Sequence, residues 1–160
     1  MSSTPSVSRI LVINGPNLNK LGTREPEKYG TTTLQTIIER LDDQAAHGDP
    51  VLTIEAFQSN HEGAIIDFLQ EYAPHSSGII INAGAFTHYS YAIRDALANA
   101  DLPTVEVHIT NIHARESFRH TSVISDVVAG QIVGLGVAGY GLALEWHRQR
   151  LAGQARSGDR

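Results

Sequence analysis

The feature that most constrains the fold is an alternation of short segments rich in β-branched residues with longer segments of helical periodicity. Five short segments are typical of strands: Val7–Asn14, Val51–Phe57, Gly78–Asn82, Pro103–His108 and Gln131–Leu135. Strands that alternate with single helices are joined by right-handed crossovers, which place the strands parallel in one sheet. The pattern therefore predicts a parallel sheet that is covered by helices on both faces.

Two of the helical segments begin with sequences that resemble capping boxes. Thr32–Gln35 has the required hydroxyl and amide residues three positions apart, and apolar residues from Leu34 to Ala45 then fall on one face. Ser59–Glu62 repeats the signature before a second helix, and Pro74 ends that helix because proline cannot continue the hydrogen-bond ladder. Both signatures predict where the helices start.

Two further helices are predicted from Ala92 to Ala100 and from Leu142 to Leu151. With the five strands, they define an α/β fold, a flavodoxin-like three-layer sandwich around a five-stranded parallel sheet. We expect residues 1–160 to form a single catalytic domain with loose tails at about 1–6 and 152–160.

Composition excludes several kinds of function. The 160 residues are 41% hydrophobic, enough for a real core, and contain no cysteine for disulfides or thiolate chemistry. A net charge of −5 argues against binding to nucleic acid or to anionic membranes. No apolar run approaches the roughly 20 residues needed to cross a bilayer, and the first residues lack the features of a signal peptide. We expect a cytoplasmic protein.

Polar residues follow four of the predicted strands. The first strand ends in Asn14–Asn17, the second in Gln58–Asn60, the third in Asn82–His88 and the fourth in His108. Loops are often polar, but ligands of open parallel sheets bind at the carboxyl ends of the strands. Four polar strand ends therefore predict a binding site at this edge.

The loop after the first strand, Gly15–Gly30, is long enough to be a binding segment or lid. It contains Tyr29, which on its own is most simply an ordinary loop aromatic. Arg24 lies five residues earlier, and a nearby guanidinium favours phenolate over phenol. Bringing a phenol from a pKa of about 10 to near 7 needs roughly 4 kcal/mol. In a closed site, Arg24 is a candidate source of much of this stabilisation of the phenolate.

The fourth strand and the segment after it supply further candidates. Glu106 and His108 share one face of the strand, so the carboxylate can orient the imidazole for proton transfer. Arg115 and Arg119 follow, and either guanidinium can bind a carboxylate through two hydrogen bonds. The alternatives are a structural strand-end histidine and ordinary surface arginines.

Other classes of protein fit less well. Gly134–Gly139 matches G-x-G-x-x-G, but the chain after it is predicted to form only one helix and a tail, so the glycines favour helix–sheet packing over dinucleotide binding. Asn14–Asn17 lacks the pattern expected of a flavin phosphate loop. His108, His113 and His120 lack the spacing of a one-face metal pair. A non-catalytic interaction module leaves the arginine, tyrosine and histidine residues unexplained.

Four blocks together resemble the type II 3-dehydroquinate dehydratases. They are Asn14–Gly30 (NGPNLNKLGTREPEKYG), Gln58–Gly63 (QSNHEG), Asn82–His88 (NAGAFTH) and Glu106–Arg119 (EVHITNIHARESFR). The likeness covers roughly Arg9–Leu151. It implies removal of water from 3-dehydroquinate to give 3-dehydroshikimate, in the shikimate pathway or in quinate catabolism, with no cofactor and no metal.

The resemblance also implies the catalytic roles. Tyr29 takes the proton from the carbon next to the ketone, and Arg24 keeps the tyrosine anionic. Asn17 helps to stabilise the resulting enolate through water, as preorganised donors do where charge develops. His108 protonates the departing hydroxyl, and Glu106 is expected to orient His108.

By the same resemblance, further residues bind the substrate. The positions that match substrate-binding residues are Asn82, His88, Asp95, Ile109, Thr110 and Arg119. Asp95 matches a residue that reaches the active site of a neighbouring subunit. The implied assembly is a homododecamer, a tetramer of trimers, without nucleic-acid or membrane partners.

Overall fold

The computed structural model describes residues 7–23 and 25–158, without the side chains of Lys28 and Tyr29. The described residues form a five-stranded sheet whose neighbouring strands all pair in parallel, in the order β2-β1-β3-β4-β5. The strands are β1 (Ser8–Asn14), β2 (Leu52–Gln58), β3 (Gly78–Asn82), β4 (Thr104–His108) and β5 (Gly130–Val133). This order confirms the predicted flavodoxin-like α/β sandwich.

In the part of the chain that the structure describes, five α-helices connect or follow the strands. They are α1 (Pro26–Tyr29), α2 (Leu34–Ala46), α3 (Glu62–Tyr72), α4 (Tyr91–Ala100) and α5 (Ala138–Gly158). Short 3₁₀ turns lie in the loops at Leu18–Lys20, Ala73–His75, Gly84–His88, Ile112–Ala114, Ser117–Arg119 and Ser125–Val127. Within the described ranges, no helix has the length and apolarity to span a membrane.

Each face of the sheet has its own apolar core. Alternate residues of β1 point to opposite faces, so Ile10 and Val12 pack with α2 and α5 while Leu11 and Ile13 pack with α3 and α4. All four of these side chains are fully buried. A strand that is covered on both faces reads as a continuous apolar run, which is why β1 was recognisable in the sequence.

The predicted helix starts were wrong by a few residues. Helix α2 is capped by Thr33, whose hydroxyl accepts a hydrogen bond from the Thr36 amide, and not by Thr32. Helix α3 begins at Glu62, and Ser59 instead accepts a hydrogen bond from the His61 amide in a turn before the helix. Serine and threonine hydroxyls favour such turns as readily as helix caps, so the motif alone does not decide at which residue a helix begins.

The last helix is longer at both ends than predicted, and residues 152–158 are helical instead of a loose tail. Glycines near its start disguise the pattern, because glycine is a poor helix former. Packing overrides that preference: Tyr140, Ala143, Leu144 and His147 are buried at helical spacing. The fifth strand, in contrast, ends at Val133, before the turn at Gly134 and Leu135. The predicted tail at residues 1–6 lies outside the described residues.

The polar strand ends are joined by backbone hydrogen bonds. Gly15 N donates to Asn82 O at 2.8 Å, and Ser59 N donates to Asn14 O at 3.1 Å. Gly15 lies so close to β3 that a Cβ atom there would be 2.2 Å from the carbonyl oxygen of Ala83. Only glycine fits where these two backbone segments cross, and the crossing holds the loops of the site together.

We expect Gly15→Ala to lower the free energy of unfolding by about 3 kcal/mol or more, because backbone atoms must move to admit the methyl group. Gly63→Ala is the matched control, since Gly63 is exposed in α3 and a Cβ atom added there would meet nothing within 4 Å. The control is expected to be neutral or stabilising by up to about 1 kcal/mol. Thermal and urea denaturation measure both. Equal stability of the two variants would contradict the packing argument.

Candidate active site

A cavity of about 300 Å³ opens at the carboxyl edge of the sheet, among the loops that follow β1, β3 and β4. This volume suits a small organic ligand. Seven of the residues predicted from the sequence line it: Asn17, Asn82, His88, His108, Ile109, Thr110 and Arg119. The structure therefore brings together residues that are up to about a hundred positions apart in the chain.

Asn17 stands on the β1 side of the cavity in a left-handed backbone conformation, with φ of 67°. Asparagine tolerates this region better than most residues. The backbone N–H of Asn17 donates to Asn60 Oδ1 at 2.9 Å, and Gln58 Nε2 donates to the same oxygen at 3.1 Å. The polar ends of β1 and β2 therefore hold each other in place.

His108 ends β4 and is almost fully buried, with its Nε2 3.1 Å from Oε1 of Glu106. Because a carboxylate only accepts, Nε2 carries the hydrogen that is shared with Glu106. The second ring nitrogen, Nδ1, is then the atom through which His108 can exchange a proton with a ligand. This is the arrangement expected of an oriented acid or base.

Glu106 is fully buried and accepts three hydrogen bonds. Besides His108, Ser122 Oγ donates to its Oε1 at 2.7 Å, and Gln131 Nε2 donates to its Oε2. Burial by itself raises the pKa of this carboxyl, but the hydrogen bonds from His108, Ser122 and Gln131 outweigh burial and hold the pKa below its usual value. The carboxylate beside His108 therefore stays ionised and accepts the hydrogen of His108 Nε2.

His88 lies beside His108, with 6.5 Å between the ring centroids. Its Nδ1 donates to the carbonyl of Thr121 at 2.9 Å. Burial lowers the pKa of His88, in opposition to that hydrogen bond, and the nearby charges of His108 and Arg119 lower it further. At neutral pH His88 is therefore neutral, and its Nε2 is an acceptor for a ligand hydroxyl.

Asn82 ends β3 and is 4% exposed. Its Oδ1 accepts a hydrogen bond from Gly84 N at 3.2 Å, and its Nδ2 donates to the hydroxyl of Tyr140 at 3.0 Å. The two bonds distinguish the oxygen end of the amide from the nitrogen end. One N–H and one lone pair are left over for a ligand.

Two arginines give the cavity positive charge. Arg119 Nε donates to Glu116 Oε2 at 2.7 Å, and its guanidinium carbon lies 4.8 Å from the centroid of the Phe118 ring. Arg115 Nη1 donates to Thr110 Oγ1 at 3.3 Å, and its Nε is 3.7 Å from the same Glu116 carboxylate. A guanidinium has five donors, so each arginine can also bind an anionic ligand.

Two predicted site residues with described side chains, Glu106 and Asp95, are not among those that line the cavity. Asp95 is exposed on α4, where Arg94 Nη1 donates to its Oδ1 at 3.2 Å. Arg24 and the Tyr29 side chain lie outside the described residues, although the Tyr29 backbone ends α1. The roles of Asp95, Arg24 and Tyr29 stay predictions.

Three residues that the sequence did not predict also touch site residues: Ser122, Gln131 and Tyr140. Gln131 faces Glu106 because β4 and β5 pair with these residues in register. Ser122 belongs to a loop, and Tyr140 lies in a helix whose start was predicted wrongly. No spacing rule indicates any of these contacts, since each depends on how separate elements pack.

The histidines that cluster in sequence do not converge on one point. His113 and His120 have their ring centroids 5.9 Å apart, whereas His108 is held by Glu106. Among the described residues, no group of three or more His, Cys, Asp or Glu side chains is arranged to hold a metal ion. The site offers hydrogen-bond donors, acceptors and an imidazole that is hydrogen-bonded to a buried carboxylate.

The fold and the site define a flavodoxin-like α/β protein with an acid–base pocket at the carboxyl edge of its sheet. The family model described as dehydroquinase class II matches residues 8–148, nearly the whole of the described chain. The chain belongs to this family.

Known relatives agree with this placement. A 3-dehydroquinate dehydratase from Halalkalibacterium halodurans is 60% identical over 136 residues, which cover 84% of this chain and 92% of the relative. The crystal structure of a type II dehydroquinase from Butyrivibrio crossotus is 49% identical, with a TM-score of 0.84 over 89% of this chain and 98% of that one. A type II dehydroquinase from Propionibacterium acnes, at 44% identity, has the same TM-score over 89% of this chain and 97% of that one.

We expect Glu106→Gln to lower the free energy of unfolding at pH 7 by about 1–3 kcal/mol, because an amide cannot accept from all three donors. The Glu106 carboxyl has a depressed pKa in the folded state, so its contribution is present above the unfolded value of 4.5 and is lost as pH falls through the folded value. The stability gap between the native protein and the variant should therefore narrow below about pH 4.5.

Urea denaturation between pH 3 and pH 7 measures that gap. Glu71→Gln is the matched control, because Glu71 is exposed on α3. A gap that stays constant across the range would show that the Glu106 charge adds nothing to stability.

Proposed function

We propose that this protein is a type II 3-dehydroquinate dehydratase, which converts 3-dehydroquinate into 3-dehydroshikimate and water. The observation that carries the proposal is the buried Glu106–His108 pair, whose histidine lines the cavity together with Asn82, His88 and Arg119. An oriented acid beside an arginine suits a substrate that has both a leaving hydroxyl and a carboxylate. Membership of the dehydroquinase class II family supports the same substrate.

In the first step of the proposed reaction, the phenolate of Tyr29 removes a proton from the carbon next to the ketone. Arg24 stabilises the phenolate, and the electron pair of the broken C–H bond moves to the ketone oxygen to form an enolate. Asn17, which lines the cavity, helps to stabilise that oxygen through a water molecule. The roles of Tyr29 and Arg24 come from the family resemblance alone. The role of Asn17 is also supported by its position in the cavity.

In the second step the enolate re-forms the ketone, a carbon–carbon double bond appears, and the C–O bond to the hydroxyl breaks. His108 gives the hydroxyl a proton from Nδ1, so that water leaves. Glu106 acts indirectly, since its hydrogen bond to Nε2 holds the His108 ring in place for that transfer. Proton return from Tyr29 to solvent and from solvent to His108 completes the cycle.

The remaining cavity residues bind the substrate. Arg119 pairs with the carboxylate, while Asn82 and the acceptor nitrogen of His88 bind hydroxyls. Ile109 and Thr110 contribute through the backbone next to His108. No metal or cofactor takes part in the proposed reaction.

The same proposal includes assembly as a homododecamer built from four trimers, in the cytoplasm. Asp95 is exposed on α4, which suits a role at the active site of a neighbouring subunit. The product can enter aromatic amino acid biosynthesis through the shikimate pathway, and the same dehydration serves quinate catabolism.

An ultraviolet assay of the chelator-treated protein with 3-dehydroquinate tests the function directly. We expect the absorbance of the conjugated enone to appear at an undiminished rate after chelation. The Glu106→Gln variant, assayed in parallel, should turn over more slowly, because the general acid His108 is no longer oriented by a carboxylate. Absence of turnover by the folded and assembled native protein would refute the proposed activity.

We expect Tyr29→Phe to lower kcat by at least about 100-fold, because the variant lacks the general base but keeps the ring. Tyr91→Phe is the matched control, since Tyr91 is 68% exposed and does not line the cavity. Steady-state kinetics and a thermal melt of each variant provide the comparison. Near-normal turnover by Tyr29→Phe would remove Tyr29 from the mechanism.

We expect His108→Gln to slow loss of water by about 100-fold or more while exchange of the acidic carbon-bound proton with deuterium survives. Glutamine keeps an N–H donor for Glu106 but cannot act as the acid. Exchange is followed by proton NMR in deuterated buffer, and exposed His113→Gln is the control. If exchange and dehydration fall together, His108 acts in the first step.

A further inference from the structure

The glycine-rich segment Gly134–Gly139 takes no part in the proposed reaction, yet it is tied to the site. Gly134 and Gly136 have left-handed φ values of 84° and 64°. Their amides donate to the carbonyls of His108 and Ile109, each at 3.0 Å. The segment is therefore bound to the end of β4.

Gly139 then brings the first turn of α5 directly onto the sheet. A Cβ atom at this position would lie 3.2 Å from Val107 Cγ1 and 3.3 Å from Ile132 Cγ2. These distances are tighter than ordinary van der Waals contact, so a larger residue would push the helix away. The close approach carries the next residue, Tyr140, into the core beneath β1 and β3, where it is 1% exposed.

The hydroxyl of Tyr140 joins the ends of two strands. It donates to Asn14 Oδ1 at 2.6 Å and accepts from Asn82 Nδ2 at 3.0 Å. Burial raises the pKa of the hydroxyl well above its ordinary value, so it stays protonated and keeps both bonds. Tyr140 otherwise packs in the apolar core between the sheet and α5, where an unbonded hydroxyl would be costly.

Of the three hydrogen-bonded residues Asn14, Tyr140 and Asn82, only Asn82 also lines the cavity. Its amide is held at both ends, by Tyr140 through Nδ2 and by the Gly84 amide through Oδ1. Without the Tyr140 hydroxyl, Asn82 Nδ2 would lose its acceptor, and the side-chain amide could rotate. The hydrogen-bonding groups that Asn82 presents to a ligand thus depend on Tyr140.

We propose that Tyr140 is a positioning residue for substrate binding, which orients the Asn82 amide toward the hydroxyls of the substrate. The inference rests on the proposed function, since it takes 3-dehydroquinate as the ligand. It also assigns a purpose to the glycine-rich segment, which places α5 close enough for the Tyr140 hydroxyl to reach Asn82. A purely structural tyrosine would affect stability alone.

A double-mutant cycle tests this inference through steady-state kinetics with 3-dehydroquinate. The variants are Tyr140→Phe, Asn82→Ala and the two combined. We expect Tyr140→Phe to raise KM by about tenfold with a smaller change in kcat, the usual scale for loss of one buried hydrogen-bond partner. In the Asn82→Ala background the same substitution should change KM by less than about twofold, because it acts through Asn82.

Leu144→Val is the matched control for loss of stability. Leu144 is fully buried in the same core, one turn further along α5, and is not among the residues that line the cavity. Its melting temperature should fall while KM stays unchanged. Asn14→Ala serves as a second route if Tyr140→Phe does not fold, since it frees the tyrosine hydroxyl from its acceptor and should raise KM only when Asn82 is present.

The outcomes separate the two proposals. An active native protein in which the Tyr140→Phe and Asn82→Ala effects on KM multiply independently overturns the role of Tyr140 and leaves the enzyme assignment intact. The same holds if Tyr140→Phe lowers only the melting temperature. A folded native protein without turnover refutes the enzyme assignment and the inference with it.

Discussion

The buried carboxylate of Glu106 is the interaction on which the geometry of the site depends. It has no contact with solvent, and its charge is compatible with the interior only because His108, Ser122 and Gln131 all donate to it. These donors come from β4, from a loop and from β5, so satisfying one charge fixes three parts of the chain relative to one another. The orientation of His108 follows from that arrangement.

The remainder of the site is built on the same plan, with polar side chains anchored from within the fold. Asn82 is held by Tyr140 and Gly84, and His88 by the carbonyl of Thr121. Each anchor uses one hydrogen-bonding group of a side chain and leaves another for the cavity. Rigid polar groups of this kind lower the cost of binding, because little side-chain freedom remains to be lost.

Much of the architecture could be predicted from the sequence. Strands β1 and β3 are buried on both faces and read as apolar runs, so their positions were nearly correct, and parallel order followed from the alternation with helices. Helix boundaries were harder. Ser59 and Thr32 have the right chemistry for caps, but local turns compete for the same hydroxyls, and the glycines at the start of α5 hide a helix that packing stabilises.

The sequence by itself determined which residues could meet at the site, because the carboxyl ends of parallel strands share one edge and their loops carry Asn17, Asn82, His88 and His108. It also placed Glu106 beside His108, since alternate residues of a strand share a face. Only the tertiary structure decided the partners of those residues. Gln131 reaches Glu106 through the register of two strands, and Tyr140 reaches Asn82 because α5 lies close against the sheet. Register and helix approach depend on how whole elements pack, and no local pattern of residues encodes that distance.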